Sequence, residues 1–85
     1  MESSASPFAC NLEQFKQTVA QFCKHAADPN VGMPALEQAH KLVGLRYLNM
    51  QIGDVTDSLI ASSYMNYANR CMINRQIEAT APGLQ

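Results

Sequence analysis

The chain has 85 residues, of which 47% are hydrophobic, and a formal net charge of −1. That length allows a single domain, and a monomer of this size buries only about 60% of its unfolded surface, so its stability is marginal unless disulfides, a metal or partner subunits add to it. Basic residues are scattered singly, which argues against nucleic acid as the main ligand and against a polybasic membrane surface, because phosphate binding needs clustered Lys and Arg.

No apolar run approaches the roughly 20 residues needed to span a bilayer, so no membrane insertion is expected. The longest, Leu42-Val43-Gly44-Leu45, is stopped by Arg46. Met1 to Pro7 lacks the basic and apolar regions of a cleaved signal peptide, so synthesis in a cytoplasm is expected, with any export by a signal-independent route. Cys10, Cys23 and Cys71 are odd in number and cannot form a closed disulfide framework. Small, buried or half-buried thiols in a reducing compartment are the expectation.

The first ten residues read as a flexible tail, residues 11–77 as the helical domain, and residues 78–85 as a second flexible tail. Asn11 has the chemistry of a helix N-cap, and Gln14 can complete a capping box. Leu12, Phe15, Val19, Phe22 and Ala26 then recur at spacings of three and four, a narrow apolar stripe on one helix. The helix should stop near Ala27, because Asp28-Pro29-Asn30 is turn chemistry and Gly32 loosens the chain further. Pro34 suits the first position of a second helix. The turn residues are thus Pro29, Asn30, Gly32 and Pro34, and so short a connection makes an antiparallel helical hairpin the default.

The second helical segment is long. Leu36, Ala39, Val43, Tyr47 and Met50 share one stripe, and Leu45, Leu48, Ile52, Val55 and Leu59 form another. Ile60, Tyr64, Tyr67 and Cys71 continue an apolar face. Gly53-Asp54 is the ambiguous point, since Gly costs about 1 kcal/mol inside a helix and Asp is a good N-cap. The apolar pattern crosses it without a gap, which favours one continuous or mildly kinked helix. The fold expected is therefore all-α, an antiparallel hairpin with a long second helix. The alternative is a three-helix bundle broken at Gly53.

Length makes partners part of the expectation. A helix from Pro34 to Gln76 would run roughly 60 Å, against about 24 Å for the first. Much of it would lack cover within the chain, although it carries Leu59, Ile60, Tyr64, Met65, Tyr67 and Met72, and exposure of apolar area is unfavourable by about 25 cal/mol per Å². Packing against other copies or another helical protein would remedy this. A break at Gly53 would remedy it without a partner.

Nothing in the chain points to catalysis or to a cofactor. Cys23-x-His25, with His40 and Cys71, matches no zinc-ligand spacing, and two residues apart on a helix point to different faces. Asp54 and Asp57 fit helix capping better than acid–base work. No nucleophile elbow or phosphate-binding glycine loop occurs. Tyr64 and Tyr67, with Met65 and Met72 nearby, suit either a core or an intersubunit contact.

Tyr47-Leu48-Asn49-Met50-Gln51 resembles a stretch in the needle subunits of bacterial type III secretion systems, and the likeness covers roughly residues 12 to 60. In that family an antiparallel hairpin has a short turn containing Pro and Asp or Asn, here Asp28-Pro29-Asn30 to Pro34. Its second helix carries a Tyr-x-Asn-x-Gln-like stretch followed, four residues on, by an aliphatic position, here Val55. Leu36 and Gln38 are similar to the Leu and Gln that open that helix. The inner-rod subunits of the same machines are nearly as good a match. The resemblance implies a homo-oligomer that polymerises head-to-tail into a tube for protein transport, exported to the cell surface by a type III route; such filaments need heterologous contacts that do not close. Tyr47, Asn49, Gln51, Val55, Leu59, Tyr64 and Tyr67 are the residues assigned to subunit packing. The second function considered is a small cytosolic adaptor or chaperone that binds a partner helix in a groove.

Overall fold

The computed structural model describes residues 7–80, which form three helices: α1 over Leu12–Ala26, α2 over Met33–Leu48 and α3 over Val55–Thr80. Most of the two expected tails, residues 1–6 and 81–85, lies outside the described residues.

Helix α1 starts where its capping chemistry places it. The Asn11 side chain accepts from the Gln14 N–H at 2.8 Å, and the Asn11 N–H donates to Gln14 Oε1 at 2.9 Å. Two of the helix's unpaired donors are thereby satisfied reciprocally. Phe15, Val19, Phe22 and Ala26 are buried along its inner face, with Leu12 packed beside them. The chain leaves α1 through Ala27, and the Asp28 carboxylate accepts the Asn30 N–H at 2.9 Å, a side-chain-closed turn. Gly32 caps α2 through its backbone, and Pro34 occupies the second helical position rather than the first.

The second helical segment is interrupted, whereas the sequence favoured continuity. Helix α2 ends at Leu48, and α3 begins only at Val55. Asp54 is the reason on the α3 side: its carboxylate accepts the Asp57 N–H at 2.9 Å and its carbonyl accepts the Ser58 N–H, so it works as an N-cap. On the α2 side Asn49 closes the helix, its Nδ2 donating to the Leu45 carbonyl at 2.7 Å. The apolar run through this point does not fill a core. Leu48 is 78% exposed, Val55 75% and Leu59 65%.

Pairwise contacts fix the helix directions. Phe15 meets Tyr47, Thr18 meets Arg46 and Phe22 meets His40, so α1 and α2 run antiparallel. Tyr47 meets Ser62 and His40 meets Asn69, so α2 and α3 also run antiparallel. Lys16 meets Tyr64 and Cys23 meets Cys71, which sets α1 and α3 parallel. Each helix packs on both of the others. The core is aromatic and aliphatic from α1 and α2, while α3 contributes Ala61, Ala68 and Met72. Alanines at this seven-residue spacing let the α3 backbone approach its neighbours closely. Cys10, the last residue of the expected N-terminal tail, belongs to this core, and its carbonyl accepts the Gln51 N–H at 2.9 Å.

Candidate functional site

Register decides what stays uncovered. In the contacts above, α1 residues meet α3 residues 48 positions later, so Leu12–Ala26 lies alongside the middle of α3. The first turns of α3 extend beyond the start of α1. They also extend beyond the end of α2, because Tyr47, next to that end, already meets Ser62. Val55 and Leu59 sit four apart on this overhang, on one face of the helix. Leu48 closes α2 and is 78% exposed, and Ile52, in the connection between α2 and α3, is 40% exposed. Four exposed aliphatic side chains therefore fall in the end of α2, the connection and the first turns of α3, here termed the apolar corner.

The residues assigned to packing between subunits divide into two groups. Tyr47 is spent within the chain, its ring 5.7 Å from that of Phe15 and its hydroxyl 3.0 Å from Ser62 Oγ. Tyr64 is partly buried against the core, with the Lys16 ammonium 5.8 Å from its ring centre. Asn49 serves as the α2 C-cap. Gln51, Val55, Leu59 and Tyr67 are exposed. The turn residues Pro29, Asn30 and Gly32 lie between α1 and α2, whereas Pro34 falls in the first turn of α2, and all four are exposed.

Two features were not legible as sites from spacing. Arg75 reaches from α3 to the end of α1, where its guanidinium donates to the carbonyls of Ala26 at 3.0 Å, Asp28 at 3.1 Å and Val31. A cation there satisfies free carbonyls and complements the negative end of the helix dipole. One turn away, Cys71 donates its thiol hydrogen to Cys23 Sγ at 2.9 Å. Burial, the Cys71 hydrogen bond and the charge of Cys71 together push the Cys23 thiol up to about 12. The charges of ionised Cys23 and Cys71 raise the Tyr67 phenol, with burial and a Cys71 hydrogen bond adding to them. Burial also raises the Cys10 thiol, against the opposing charge of Arg46.

The other candidate ligands are engaged separately. His25 pairs with Gln21 at 3.2 Å and His40 with Asn69 at 2.8 Å, and among the described residues no three His, Cys, Asp or Glu side chains converge as a metal site. Asp54 and Asp57 meet through the cap bond already described. Between α1 and α2 lies an open, mixed cleft lined by Gln14, Gln17, Gln21, His25 and Arg46. The Arg46 Nη1 donates to Thr18 Oγ1 at 2.9 Å, and its buried Nε has no partner among the described residues. No helix among the described residues is long and apolar enough to cross a membrane. The chain matches no known family model, no curated protein and no solved structure.

Proposed function

We propose that this chain is a non-enzymatic protein-binding module, a three-helix bundle broken at Gly53, that receives a helical partner on the apolar corner of Leu48, Ile52, Val55 and Leu59. The observation that carries this reading is the exposure of Leu48, Val55 and Leu59, at 78%, 75% and 65%. Exposed aliphatic side chains at the α2–α3 end of so small a molecule favour an amphipathic helix as the occupant, because burying them recovers about 25 cal/mol per Å². On this reading the packing of α3 on α1 and α2 reduces the need for polymerisation as cover, which supports an adaptor more than an obligate filament.

Self-assembly is the second reading, and the exposure of Gln51, Val55, Leu59 and Tyr67 favours it. On that reading the chain is the needle or inner-rod subunit that the Tyr47–Gln51 stretch resembles. Light scattering on purified protein across a concentration series separates the two. A small species of fixed size at every concentration supports the module, and open-ended polymers support the filament subunit. The corner itself is tested by the Val55→Glu, Leu59→Glu double variant. A partner cross-linked to the corner of the wild-type chain should be lost from that variant, and undiminished binding would sink the assignment.

A further inference from the structure

We propose that Cys23 and Cys71 are a redox-sensitive pair, which a peroxide converts to a reversible disulfide joining α1 to α3. Their sulfurs are 2.9 Å apart on facing helices. A disulfide needs about 2.0 Å, so closure requires a movement of only about 1 Å. The helices are held in register on both sides of the pair: Arg75 ties α3 to the last carbonyls of α1, and Lys16 lies over the Tyr64 ring about two turns before it. Both thiols are half-buried at a surface cleft of about 350 Å³ that Tyr67 and Arg75 also line. A small oxidant can reach them there.

Cys10 is excluded from the pairing. It precedes the N-cap of α1, roughly 15–20 Å along the helix from Cys23 by the rise per residue. Its thiol instead faces the Arg46 carbonyl at 3.8 Å. An odd number of cysteines therefore resolves into one pair and one buried single thiol.

The chemistry balances with hydrogen peroxide as the oxidant. One sulfur, as thiolate, attacks a peroxide oxygen; the O–O bond breaks, hydroxide leaves, and a sulfenic acid forms. The second sulfur, deprotonated, displaces hydroxide from the sulfenic sulfur, forming the S–S bond. In sum the two thiols give up two electrons and two protons, and the peroxide becomes two waters. The elevated Cys23 thiol limits the thiolate available at neutral pH, so the oxidation rate rises with pH. The closed loop contains all of α2, and constraining the unfolded chain this way raises Tm by on the order of 10 °C.

Peptide mapping of the full chain tests this, because Lys16, Lys24, Arg70 and Arg75 let trypsin place each cysteine on its own fragment, residues 1–16, 17–24 and 71–75. Dilute reduced protein treated with hydrogen peroxide should yield fragment 17–24 joined to 71–75, with Cys10 still open to alkylation. A thiol reductant should reverse the link and the Tm rise together. Cys10→Ser should leave the link intact, and Cys71→Ser should abolish it. Disulfides only between chains, links through Cys10, or sulfinic acids without the 17–24 to 71–75 link would overturn the proposal. The wild-type map decides the matter even where a variant fails to fold.

Discussion

Phe15 is fully buried at the meeting of α1 and α2, with the Tyr47 ring against it. Truncating it leaves a cavity that three short helices cannot fill by collapse. Phe15→Ala is therefore expected to lower stability by about 3–5 kcal/mol in urea unfolding, and a loss under about 1 kcal/mol would mean that the core is not built around it. Cys23 gives a pH dependence at the same scale. Its thiol ionises near its ordinary 9.0 in the unfolded chain and near 12 in the folded one. Over that window the native state holds a proton that the unfolded state has released. The contribution is full below pH 9 and is lost as pH rises toward 12. Cys23→Ser should flatten that alkaline decline, and an unchanged slope would place the titration elsewhere.

At the scale of elements, the break between α2 and α3 is where local and longer-range signals compete. The apolar periodicity crosses Gly53 without interruption, but periodicity reports a face, not whether anything covers it. Asp54 capping α3 and Asn49 closing α2 decide for two helices. Asp54→Ala should cost about 1 kcal/mol by removing the α3 cap, measured by thermal unfolding. Gly53 has open space around its Cα and no left-handed backbone, so an alanine there meets no clash. The capping box of Asn11 and Gln14 was legible at once because it needs only neighbours in sequence. Ala61 and Ala68 were not, since alanine carries little hydropathy signal and marks close helix approach only once a neighbouring helix is present.

For the whole molecule, the decisive quantity is the register between helices of unequal length. With 26 residues, α3 is longer than α1 with 15 and α2 with 16, so part of it must overhang. The overhang carries Val55 and Leu59, which contribute little to the core. The Val55→Glu, Leu59→Glu variant should therefore unfold within about 0.5 kcal/mol of the wild-type chain, while partner binding falls. A large loss of stability would instead mean that the corner is packed within the chain. Arg75 belongs to this scale as well: its role at the α1 terminus exists only because parallel packing brings α3 beside it.

The sequence by itself determined the helical class, the start and end of α1, the turn that begins at Asp28 and the stripe that α1 buries. All of these rest on spacings and side-chain-to-backbone bonds within a few residues. The tertiary structure alone decided that each helix packs on both of the others, which of two apolar stripes faces inward, and that Cys23 lies against Cys71. Those outcomes depend on which helix lies next to which and at what offset. Offset is set by packing the three helices on one another at once, and no local pattern encodes it.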